Sequence, residues 1–128
     1  MRSRGSQGFT LIEILIVVVV IGILTAIAIP KFNNVRGKSF AASIKSDLRN
    51  LAVAQEDYFY SSGGYTKDAT KLQYNASPRV VIEIIEANAE GWSAKATHPQ
   101  AFPLTCALFW GAVTPVAPAT QEGLINCQ

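Results

Sequence analysis

One stretch constrains this chain more than any other: residues 9–29 read FTLIEILIVVVVIGILTAIAI, 21 residues whose single charge is Glu13. At about 1.5 Å of rise per residue, a helix of that length spans roughly the 30 Å hydrocarbon core of a bilayer. The segment is therefore long enough to cross a membrane. Ahead of it lies a short polar leader, residues 1–8, that carries Arg2 and Arg4 and no acid. Positive charge on a short N-terminal flank holds that flank in the cytoplasm. Lys31, Arg36 and Lys38 follow on the far side and weaken the charge bias, but so short a leader offers little to translocate. The expected topology is single-pass, with the N-terminus inside and the C-terminus outside.

Three readings compete for the apolar segment. A plain anchor explains its length but not Glu13, because a carboxylate inside an apolar span costs about 2.5–3.5 kcal/mol when central and usually marks function. A conventional secretory signal cut after Ala26-Ile27-Ala28 would need a shorter apolar stretch without an embedded acid. The third reading takes Gly8-Phe9-Thr10-Leu11-Ile12-Glu13 as one unit: a small residue, an aromatic one, and a carboxylate a helical turn further on. With the apolar run that follows, up to Pro30, this unit resembles the N-terminus shared by type IV pilins and type II secretion pseudopilins.

That resemblance carries implications for individual residues. It implies that a prepilin peptidase cuts after Gly8 and methylates the new α-amine of Phe9, and that the apolar helix is retained. It implies that Glu13 serves assembly by meeting the Phe9 amine of an adjacent subunit, although the amine of its own chain, four residues away, is also within reach. It further implies that the Gly22 and Pro30 region can unwind in filaments; a simple kink in an intact helix is the alternative. The partners implied are copies of the chain in a homo-oligomeric filament, the peptidase, an inner-membrane assembly platform and the membrane itself. The subunit would sit in the inner membrane before assembly and in an extracellular pilus afterwards.

Beyond Pro30 the pattern becomes amphipathic. Phe40, Ile44, Leu48, Leu51, Gln55 and Tyr58 recur at spacings of four, four, three, four and three, while Lys45, Asp47, Arg49, Asn50, Glu56 and Asp57 fall largely elsewhere. This predicts a helix with one buried stripe, ending at Ser61-Ser62-Gly63-Gly64. Residues 65–77 read as a connecting loop with a short helical turn at 68–72. A strand is expected at 79–86, a turn at Ala89-Glu90-Gly91, and a second strand at 92–97 with Trp92, Ala94 and Ala96 inward and Ser93, Lys95 and Thr97 outward. A third strand is expected at 106–111, and residues 112–128, with Pro115 and Pro118, read as a loop. The fold class is α+β: a long N-terminal helix, half membrane-spanning and half amphipathic, packed on a small antiparallel sheet in a pilin-like layout. The expected division is a leader at 1–8, an assembly helix at 9–29, its amphipathic continuation at 30–60, and a C-terminal β domain at 61–128. Cys106 and Cys127 form one disulfide if this end is exported and remain two thiols if it is cytosolic; the outward topology favours the disulfide. Pilins commonly carry such a bounded C-terminal loop.

Several function classes find no support. The net charge of +2, with no run of Lys or Arg, gives no basis for nucleic-acid binding. No catalytic constellation, metal-ligand spacing or cofactor motif stands out, and His98, beside Pro99, reads as an exposed loop histidine. Asn75-Ala76-Ser77 fits a glycosylation sequon that recurs by chance. Tyr58, Phe59 and Tyr60, with Phe32 and Phe40, raise the idea of a conducting filament, but at helical spacing they read as packing residues. The reading is thus of a structural subunit of a type IV pilus and not of an enzyme. The alternatives are a type II secretion pseudopilin, disfavoured by the cysteine pair and by a C-terminal segment poor in acidic oxygen ligands, and a monomeric membrane-tethered binding domain.

Overall fold

The computed structural model describes residues 8–128; the leader positions 1–7, including Arg2 and Arg4, lie outside the described residues. One long helix, α1 (Leu11–Ser62), is followed by a 3-10 turn (Ala69–Lys71) and four strands, β1 (Val81–Ala87), β2 (Gly91–Thr97), β3 (Thr105–Gly111) and β4 (Asn126–Cys127). The chain divides after Asn33 into two compact units.

In the first unit the helix begins on a reciprocal cap: the Glu13 backbone N–H lies 3.3 Å from the Thr10 hydroxyl oxygen and the Thr10 N–H 3.4 Å from the Glu13 carboxylate. Thr and Glu three residues apart are the capping-box pair, and they engage two donors that no helical turn precedes. From Leu11 to Ile29 the large aliphatic side chains are exposed throughout. By length and composition it can cross a membrane. Its one hydroxyl, on Thr25, donates back to the carbonyls of Ile21 at 2.5 Å and Gly22 at 3.1 Å, which removes an unmet polar group from an apolar surface. Pro30 lies inside α1 without ending it.

In the second unit the helix buries its stripe. Ile44, Leu48 and Leu51 are each 0% exposed and pack with Trp92, Ala94, Ala96, Cys106 and Leu108. Removing each of these aliphatic side chains from water is worth about 1.5–3 kcal/mol. The sheet is a meander in the order β1-β2-β3-β4, all antiparallel, with Ile82 opposite Ala96, Ile84 opposite Ala94, and Trp92 opposite Trp110. Alanines at 94 and 96 keep the sheet surface low where α1 lies on it. The helix stops at Gly63, whose φ of +77° suits glycine and whose N–H donates to the Phe59 carbonyl at 2.8 Å.

Four expectations need correction. β1 starts at Val81 and not at Arg79, because residues 77–80 form a turn in which the Val80 N–H donates to the Ser77 carbonyl and Arg79 adopts φ 67°. Ser93, expected outward, is buried. Along β3, Cys106 and Leu108 join the helix-side core while Ala107 and Phe109 join a second cluster with Val113, Val116 and Ala119. Side chains alternate across a strand, so this cluster covers the opposite face, the one to which Ser93 points from its place beside Phe109. The C-terminal residues 112–128 are therefore not merely a loop: they cap that second face and add β4, with Cys127 opposite Cys106. His98 is 1% exposed and not a surface residue. Its ring stacks on Phe40 with centroids 4.2 Å apart, and Nδ1 accepts the Gln100 N–H at 3.1 Å.

Candidate functional site

The residues singled out for processing and assembly sit together at the start of α1. Gly8 is exposed, with no described atom beyond its chain neighbours within 4 Å of where a Cβ would stand, and Phe9 is 80% exposed. The peptide between them is thus unobstructed by the described chain. Glu13 is held on the first turn, where its carboxylate faces the positive end of the helix dipole as well as the Thr10 N–H. Among the described residues the carboxylate is engaged through Oε2, at 3.4 Å from the Thr10 nitrogen. Chemically this is a carboxyl group in an apolar setting, one turn from Phe9. The contribution of Thr10 was not anticipated, although the spacing Thr-x-x-Glu was available as a capping signature.

The helix-flexibility pair is less developed. Gly22 has open space about its α-carbon, and its carbonyl is shared with the Thr25 hydroxyl. Pro30 contributes no N–H to the ladder. Neither residue interrupts α1.

Within the second unit two buried polar side chains of α1 hold the loop that leads to the sheet. Asp47, only 2% exposed, accepts the Ser77 N–H at 2.8 Å and the Ser77 hydroxyl at 3.0 Å. Gln55 donates to the Thr66 carbonyl at 2.7 Å and accepts the Thr66 N–H at 3.1 Å, as a neighbouring strand would. By its spacing Asp47 falls outside the apolar stripe; its burial is explained by the two hydrogen bonds it receives. Near the helix end, the Tyr65 hydroxyl donates to Glu56 at 2.9 Å while its ring stacks on Phe59. Burial of the phenol, followed by its bond to Glu56, pushes its pKa up to about 12. Cys106 and Cys127 are joined by a disulfide that ties the C-terminus to β3. Among the described residues no three His, Cys, Asp or Glu side chains gather as a metal site.

Residues 3–29 match the model of the prokaryotic N-terminal methylation motif. The chain is also 30% identical over 116 residues to the type IV wide pilus major component of Thermus thermophilus, a match covering 88% of this chain and 84% of that protein. The chain belongs to the type IV pilin superfamily. Other members are similar over shorter stretches. The type IV major pilin protein of Myxococcus xanthus is 41% identical over 69 residues, spanning 54% of this chain and 31% of that protein. The type II secretion system core protein G of Pseudomonas aeruginosa is 35% identical over 73 residues, 57% of this chain and 51% of that protein. For a pilin-superfamily chain, Gly8, Phe9 and Glu13 all fall inside the matched motif, and Gly22 lies in its second half. Pro30 follows directly after it.

Proposed function

We propose that this pilin-superfamily chain is the structural subunit of a type IV pilus. Leader residues 1–8 are removed after Gly8 by a prepilin peptidase and the α-amine of Phe9 is methylated. Segment 9–29 holds the subunit in the inner membrane, N-terminus inside, until the assembly platform draws it into a growing homopolymer. There the exposed aliphatic side chains of the first unit exchange lipid for their counterparts on other copies, so one segment serves as anchor and then as filament core. Glu13, held on the first turn of α1, meets the Phe9 amine of a neighbour and sets the stagger between copies. Catalysis plays no part in this role.

The observation that carries this reading is the similarity to a pilus component over 116 residues, which runs through the second unit as well as the motif. The pseudopilin reading rests on similarity that reaches 51% of the secretion protein, a narrower base. Mass spectrometry of material sheared from cells should find a chain beginning at methylated Phe9, and electron microscopy should find it in filaments. An N-terminus at Met1 or Ile29, or the absence of any polymer in cells that hold the peptidase, would falsify the proposal. Deleting the chain separates the two filament readings: loss of surface pili favours the pilus, and loss of exoprotein release with pili intact favours secretion.

A further inference from the structure

A groove of about 540 Å³ runs along the second unit between α1 and loop 73–75, with Asn50 and Asp57 on the helix wall and Gln73, Tyr74 and Asn75 on the loop wall. Both ends of the loop wall are fixed. Ser77 is clipped to buried Asp47, Thr66 to buried Gln55, and Leu72 is itself buried between them. The groove is therefore formed before any ligand arrives, which limits the ordering that binding must impose.

We propose that this groove binds a neutral sugar. The volume falls in the ordinary range for small-molecule sites. Three primary amides, on Asn50, Gln73 and Asn75, each offer both donors and an acceptor, and the Asp57 carboxylate offers two acceptors. None of these four side chains makes a hydrogen bond among the described residues. A set that offers both donors and acceptors matches hydroxyl groups, which can each donate once and accept as well. A cation would want acceptors alone and more than one ring about it. An anion would want a basic residue, and none lines the groove. Tyr74 is half-buried beside the helix, and its ring supplies a flat apolar surface of the kind on which the C–H face of a pyranose lies. Burial and the nearby Asp47 charge raise the Tyr74 pKa, so the phenol stays neutral.

This inference does not rest on polymerisation: the groove belongs to the single subunit. If the chain also forms filaments, repetition of the groove would convert weak single-site binding into avidity. The test uses the full chain in a detergent without a sugar headgroup, titrated by ligand-observed NMR with galactose, glucose and N-acetylglucosamine, and separately with N-acetylneuraminate and choline. At least one neutral sugar should bind with a dissociation constant on the order of 1 mM. Asp57→Ala and Gln73→Ala, both on the surface, should each weaken it by about tenfold with unchanged thermal melting. Tyr74→Ala should abolish binding and Tyr74→Phe should retain it. No neutral sugar bound at 50-fold that concentration, binding that survives these substitutions, or binding confined to choline or N-acetylneuraminate would each overturn the proposal.

Discussion

Tyr65 illustrates how one side chain can make stability depend on pH. The fold holds the neutral phenol, half-buried and bonded to Glu56, with its pKa pushed up from 10.0 to about 12. Below pH 10 the phenol is protonated in both folded and unfolded chains, and its full contribution is present. Between pH 10 and about 12 the unfolded chain has released the proton while the folded chain keeps it, so stability falls as pH rises. Thermal melts across that window should decline for the wild-type chain and more gently for Tyr65→Phe. Equal slopes for the two would remove Tyr65 as the cause. Other single residues resist a local reading. Asp47 reads as a solvated helix residue because its partner, Ser77, is 30 positions away. His98 reads as exposed because it sits in a Pro-flanked turn, yet its ring lies against Phe40, 58 positions earlier by subtraction of their numbers.

At the scale of elements, α1 was the most legible, since its stripe repeats with the period of a helix and its stop carries two glycines. That stripe makes a sharp expectation. Leu48→Ala, at a fully buried position, should cost about 2–5 kcal/mol in denaturant unfolding. Val53→Ala, at a position 71% exposed on the same helix, should cost no more than about 0.5 kcal/mol. Similar losses at both would mean that the stripe is not the core. The strands were legible in number up to β3, and their inward residues alternate as expected, but β4 has only two residues and no periodicity to announce it. It exists because the Cys106–Cys127 disulfide and β3 hold it in register. Closing a loop with a sequence separation of 21 is worth about 3 kcal/mol in the chain-entropy model. The paired substitution Cys106→Ser with Cys127→Ser should lower stability by about that amount, measured against the oxidised chain under non-reducing conditions. A change below about 1 kcal/mol would show that the strand pairing alone suffices.

For the whole molecule, the decisive physical fact is that the large aliphatic side chains of residues 11–29 are all exposed while the second unit has its own core. So long an exposed apolar surface marks a site of interaction with another apolar surface. Glu13→Ala should therefore insert in the membrane and be processed to the same N-terminus, because the aliphatic run is untouched, but should enter filaments poorly. Comparing processed chain in membranes with chain in the sheared fraction measures this directly, and a wild-type filament yield would exclude Glu13 from assembly. By itself the sequence determined the apolar segment, its embedded acid, the amphipathic stripe, the helix stop and the cysteine pair, because each is written in local order and side-chain chemistry. Only the tertiary structure decided that Asp47, Ser93 and His98 are buried, that the C-terminal stretch covers a second face of the sheet, and that a polar groove flanks the helix. Those outcomes depend on which distant segments meet, and no local period encodes such meetings.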